Sequence, residues 1–173
     1  MKNFFMMLLV ISSASLSSVS VMAQKSPDVV DVAIGSKDHT TLVAAVKAAA
    51  LVETLKGKGP FTVFAPVNEA FAKLPAGTLD NLLKPENKAT LVKILTYHVV
   101  AGRLDAKAVL DAIKKGGGTA TVTTVSGGKL LVTLDNGKVK LTDETGGSSY
   151  VTATDLKASN GIVHVIDTVV LPK

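Results

Sequence analysis

The chain predicts an α+β fold, and three observations predict it. Apolar residues recur at helical spacing through the first half, as far as Lys115. Beyond Gly118 they alternate with polar residues, the period of half-buried strands. Helical segments therefore precede the antiparallel strands and do not alternate with them, which separates this chain from a parallel α/β protein. The third observation is an isolated strand-like run at residues 61–65, which must join the later strands across sequence.

Residues 24–36 read as a polar, proline-containing lead-in. A helix is expected from residues 38–41, any of which can cap it, with Leu42, Val43, Val46 and Ala49 on its apolar face. Leu51, Val52 and Leu55 continue as a short second helix, stopped by Gly57-Lys58-Gly59-Pro60. Residues 61–65 form a buried strand that Pro66 ends. Asn68 is placed to cap a short helix through Phe71 and Leu74. Thr78 caps another, closed by Pro85, and residues 87–96 form a better one with Leu91, Ile94 and Leu95 on one side. Tyr97 to Val100 leaves it as extended chain. Residues 105–115 are amphipathic, with Ala108, Val109, Ala112 and Ile113 inward, and Gly116-Gly117-Gly118 ends them. Strands follow at 119–125, 129–134, 138–142, 150–155 and 162–171. Asn136-Gly137 makes a two-residue hairpin turn, because both residues tolerate positive φ. Neither a repeat nor a linker-like stretch interrupts residues 24–173, so one domain is expected.

Residues 1–23 have the pattern of a secretory signal peptide. Lys2 supplies the positive start, residues 4–11 an apolar run, and Val21-Met22-Ala23 the small residues that a signal peptidase needs. The run is too short to span a bilayer of about 30 Å. The exported chain is expected to start at Gln24, without a transmembrane segment, in the periplasm or outside the cell.

Formal net charge is +5, almost all of it lysine, with Arg103 the single arginine. Aromatics make up 4% of residues and the basic residues are interspersed with acids, so nucleic acid is not an expected partner. The chain has no cysteine and must be held by its core alone.

Catalytic motifs are absent from the sequence. It has no Gly-x-Ser-x-Gly elbow and no phosphate loop. His98 and His164 are expected to be hydrogen-bonded core residues; His164 lies between Ile162 and Ile166 on one strand face. His39 is expected to be exposed. His164 and Asp167, three apart on a strand, point to opposite faces and cannot share a metal. The Asp135-Asn136-Gly137 and Asp143-Glu144 turns lack the ligand count of a calcium loop. Neither a metal nor a cofactor is expected.

Two stretches resemble the signature boxes of the fasciclin (FAS1) family. One is Thr62-Val-Phe64-Ala-Pro66-Val-Asn68-Glu-Ala-Phe71; the other is Asn160-Gly161-Ile-Val-His164-Val-Ile-Asp167 and the residues to Pro172. Tyr97-His98 resembles the family's Tyr-His motif, and residues 41–45 its opening helix. Val67, Ala50 and Ala101 stand where the family commonly has Thr, Gly and Pro. The resemblance implies a single fasciclin-like domain at residues 37–173, a compact β-sandwich with short helices along one edge. It implies an adhesion or surface-interaction module without catalysis, with a cell-surface or matrix protein or glycan as partner. In animal members, integrin contact is assigned to positions that match Tyr97-His98 and Asp155-Leu156. The alternative is an exported small-ligand or glycan-binding protein using a groove near Tyr97-His98. Both motifs are expected at the surface, Tyr97-His98 at a helix exit and Asp155-Leu156 before the last turn.

Overall fold

Seven strands in one continuous hydrogen-bonded order, β2-β1-β7-β6-β5-β4-β3, form the centre of the molecule. The computed structural model describes residues 26–173. The expected signal segment, with Gln24, lies outside the described residues. The strands are β1 (Phe61–Pro66), β2 (Val99–Ala101), β3 (Thr119–Thr123), β4 (Lys129–Asp135), β5 (Lys138–Thr142), β6 (Ser148–Ala158) and β7 (Gly161–Ile166). The helices are α1 (Val29–Ile34), α2 (Thr40–Ala48), α3 (Val52–Leu55), α4 (Asn68–Ala72), α5 (Thr78–Leu82), α6 (Lys88–Tyr97) and α7 (Ala106–Lys115).

The α+β order is as expected, and β6 joins two groups of strands, β2-β1-β7 on one side and β5-β4-β3 on the other. β6 is long and pairs with β7 along one part and with β5 along another, with two register shifts that bend it. The ends of the order then approach each other. Val100 of β2 bridges Thr124 just beyond β3, and the Val125 amide donates to the Val99 carbonyl at 2.7 Å. The result is a nearly closed, barrel-like sheet.

Two apolar clusters fill the molecule. Inside the curved sheet lie Phe64, Tyr97, Leu130, Val132, Leu141 and Ile166, closed by Val109 and Ile113 of α7. Leu130, Leu141 and Ile166 are fully buried, each side chain contributing about 1.5–3 kcal/mol of hydrophobic stabilisation. The second cluster lies between the helices and the other face of β1 and β7, with Leu42, Ala45, Val46, Leu91, Leu95 and Val163.

The lead-in turns out to be structured. Asp28 caps α1 by accepting from the amides of Val30 and Asp31, while Asp31 reaches back to the Asp28 amide. Val29 and Val30 are buried, so this segment belongs to the core. The signal for it was Asp28-Val29-Val30-Asp31, two valines enclosed by a capping pair. His39 also differs from expectation, being 4% exposed with Nδ1 on Ser36 Oγ at 2.7 Å. Its Nε2 has no partner of good geometry among the described residues. Burial lowers its pKa, against opposing contributions from the Ala65 backbone and Asp38.

Candidate functional site

The two signature boxes meet as neighbouring strands of the sheet. β1 and β7 pair in parallel, from Phe61 opposite Gly161 to Pro66 opposite Ile166. Phe64 and His164 are therefore direct neighbours, with ring centroids 5.7 Å apart and planes inclined by 26°. Gly161 is required by this approach, since a Cβ there would lie 2.1 Å from the Phe61 carbonyl oxygen.

Thr62, His164 and Asn160 each hold a distant loop, and Asp167 holds the start of β6. Thr62 Oγ1 donates to the Gly102 carbonyl at 2.7 Å and accepts from the Leu104 amide at 2.9 Å. His164 Nε2 donates to the Leu104 carbonyl at 2.7 Å, which leaves Nδ1 to accept from the Asp155 amide at 3.4 Å. That tautomer follows from the hydrogen bonds. Asn160 Nδ2 donates to the carbonyls of Leu55 and Gly57, and its Oδ1 accepts from the Val29 amide. Asp167 Oδ1 accepts from Ser149 Oγ, the Tyr150 amide and Thr168 Oγ1. Burial raises the Asp167 pKa, but these hydrogen bonds and the Lys73 charge outweigh it and the net shift is downward. Pro66 and Phe71 are buried apolar members of the boxes.

Asn68 does not cap the helix it begins. Its Oδ1 accepts from the Thr41 amide and Thr40 Oγ1, and its Nδ2 donates to the Lys37 carbonyl. It caps α2 from outside, satisfying an amide that α2 has no side chain of its own to satisfy. The α4 start at Val67 has no side-chain cap.

The Tyr-His segment is interior: His98 is the hydrogen-bonded core residue expected, while the expectation that the segment presents side chains at a surface is corrected. Tyr97 is fully buried, donating from its hydroxyl to the Lys129 carbonyl at 2.7 Å and accepting from the Glu144 amide. Burial is the main cause of its raised pKa. His98 donates from Nδ1 to the Ile94 carbonyl at 2.8 Å and accepts at Nε2 from the Val170 amide at 3.2 Å. Burial pushes its pKa down to about 4. A helix exit faces solvent only if its chain leaves the body; here β2 enters the sheet beside β1.

The space that His98 lines is an apolar cavity of about 40 Å³, between Val30, Leu42, Val46, Val63 and Leu95. Its volume suits a water or two and not a small organic molecule.

Asp155 and Leu156 divide their roles. Asp155 sits in the bent part of β6 with φ of 60°, and its Oδ1 accepts from the Ala106 amide at 2.9 Å, at the start of α7. Leu156 is 39% exposed and is the one member of the four candidate contact residues with a large apolar side chain at the surface. Among the described residues, no group of three His, Cys, Asp or Glu is placed to hold a metal. Asp143 is an example of why. Its oxygens accept from Thr145, Gly147 and Leu171 in an Asx-type turn, which the Asp-x-Thr-x-Gly spacing signals.

Comparison with known proteins agrees with the geometry. The fasciclin domain model matches residues 37–172. Protein sll1483 of Synechocystis sp. is 49% identical over 157 residues, covering 88% of this chain and 80% of that protein. Transforming growth factor-beta-induced protein ig-h3 of Sus scrofa is 39% identical over 147 residues, covering 83% of this chain but 19% of that much longer protein. The solved FAS1 domain pair of the insect cell adhesion molecule fasciclin I superposes with a TM-score of 0.59 at 23% identity, over 75% of this chain and 43% of that one.

Proposed function

The chain belongs to the fasciclin family, and on that premise we propose that it is an exported adhesion or surface-interaction module that works by contact, without catalysis. The observation that carries this is the commitment of the box polar groups. Thr62, Asn68, Asn160, His164 and Asp167 all spend their side chains on partners within the fold. The one uncommitted atom among them is Asp167 Oδ2, 3.9 Å from Lys73 Nζ, and no group of three metal-binding side chains accompanies it among the described residues. The same fold in an insect cell adhesion molecule supports a contact role. Export rests on the signal pattern of residues 1–23, and the partner is a cell-surface or matrix protein or glycan.

Contact at the Asp155-Leu156 corner falls to Leu156, with Asp155 fixing the loop that presents it. Exposed aliphatic side chains supply contact area, and neighbouring polar groups supply orientation. The test is attachment of the chain from Gln24 onward to cells and to matrix-coated surfaces. Leu156→Asp should reduce attachment several-fold with an unchanged circular dichroism spectrum. Full attachment by a folded variant would remove Leu156 from the contact surface.

A further inference from the structure

Loops held by Thr62, Asn160 and His164 border one depression that the fasciclin signature does not describe. It is open, has a volume of about 430 Å³, and is lined by Asp28, Lys56, Gly57, Lys58, Gly59, Pro60, Arg103, Ser159 and Asn160. Three cations line it against one carboxylate. Asp28 is already engaged, accepting from the α1 amides and pairing with Lys56 at 3.3 Å. Lys56 also pairs with Asp31 at 2.8 Å. Lys58 and Arg103 make no ion pair among the described residues, so their charge is uncompensated.

Both free cations stand on pinned backbone. Arg103 is flanked by Gly102 and Leu104. Thr62 Oγ1 bonds both of these neighbours, and the Gly102 amide donates to the Pro60 carbonyl at 2.9 Å. Lys58 is flanked by Gly57, whose carbonyl accepts from Asn160 Nδ2 at 3.0 Å, and by Gly59, which packs on the Asn160 backbone so closely that a Cβ would overlap its oxygen. The two side chains are thus delivered to one place by rigid supports, which lowers the ordering cost of binding.

We propose that this basin binds an acidic sugar, the carboxylate of a uronic acid or the sulfate of a sulfated residue, within an extracellular polysaccharide. Arg103 offers a planar two-donor fork to the oxyanion and Lys58 a point charge. The Ser159 hydroxyl and the polar backbone around it suit ring hydroxyls. A protein partner is disfavoured, because the exposed large apolar residues, Ile34, Val125, Leu131, Leu134 and Leu156, all lie outside the basin. The basin therefore offers no large exposed apolar side chain as an anchor for a protein partner.

The experiment uses the chain from Gln24 onward and three probes: oligogalacturonate, sulfated dextran oligomers and polyglutamate. Binding is followed by calorimetry at about 0.15 M salt, where bare surface charge is screened within about 8 Å. Saturable binding of one of the two sugars is expected, and which one binds distinguishes carboxylate from sulfate. Lys58→Ala with Arg103→Ala should weaken it at least tenfold, and Arg103→Lys should weaken it less. Both residues are exposed, so the variants should keep the wild-type melting temperature. Lys84→Ala with Lys88→Ala removes equal charge outside the basin and should leave binding unchanged. An equal loss in that control, equal binding of polyglutamate, or no binding of either sugar would overturn the proposal.

Discussion

Acidification should destabilise this domain through His98. The neutral ring is what the structure accommodates: Nδ1–H faces the Ile94 carbonyl, and Nε2 accepts from the Val170 amide. A proton on Nε2 would face an N–H and sit in an apolar interior. The folded pKa is therefore about 4 against 6.5 for an unperturbed histidine. As pH falls below the unfolded value, the unfolded chain takes up a proton that the folded one refuses. The stability from neutral His98 is thus complete above pH 6.5 and declines as pH falls, levelling off near pH 4. Integrating between about pH 7.5 and about pH 5 gives a loss of about 2 kcal/mol for this group alone. Urea unfolding at the two pH values measures it. His39, also shifted down by burial, adds in the same direction, so the wild-type loss by itself does not isolate His98. His98→Gln keeps a donor and an acceptor but does not titrate. The difference in unfolding free energy between the two pH values should be about 2 kcal/mol smaller in that variant. An identical pH response in wild type and variant would refute the assignment.

Three further substitutions test the framework. Ala50 has φ of 58°, a left-handed conformation that costs a non-glycine residue about 1–2 kcal/mol. Ala50→Gly should stabilise by about 0.5–1 kcal/mol after the entropy of the unfolded glycine is subtracted, seen as a higher urea midpoint. Gly161→Ala should cost more than about 2 kcal/mol, because its Cβ must displace the β1 backbone; a thermal melt equal to wild type would contradict the close approach. His164→Ala should cost about 1–3 kcal/mol by thermal or urea unfolding, through loss of the Leu104 hydrogen bond and of packing on Phe64.

Much of the fold was legible because it depends on local pattern. The helical face of α2, the hairpin at Asn136-Gly137 and the glycine stop after α7 all appear where spacing and turn chemistry put them. Ala50 in the left-handed region likewise fits a position where the family commonly has glycine. What was not legible depends on partners remote in sequence. Asn68 stands where it can cap its own helix, yet it caps α2, and only the packing of α2 on α4 decides between the two. Tyr97 and His98 leave a helix, and nothing local reveals that the chain goes inward. The cationic basin has no sequence motif. Lys58, Arg103 and Ser159 come from three separate loops that meet only because β2, β1 and β7 are neighbours in the sheet.

The polar residues of the boxes answer a specific difficulty of this topology. In a half-exposed strand, alternation of apolar and polar residues fixes the register, since a slip by one turns the apolar face to water. β7 has no such alternation, because all six of its residues are buried, and β1 is buried or half-buried throughout. Hydrophobicity alone would tolerate β7 slipping along β1. The tethers do not. A one-residue slip would take His164 off the Leu104 carbonyl, while Thr62 still held the Leu104 amide. It would also pull Asn160 away from Leu55, Gly57 and Val29, and bring a side chain to the place that only Gly161 fits. Each broken bond would leave a part-buried polar group unpaired, at about 1–3 kcal/mol apiece. Several such losses together approach the whole stability of a domain, about 5–15 kcal/mol. Register between β1 and β7 is therefore set by polar contacts with loops far away in sequence, while the apolar strand faces supply the bulk of the burial.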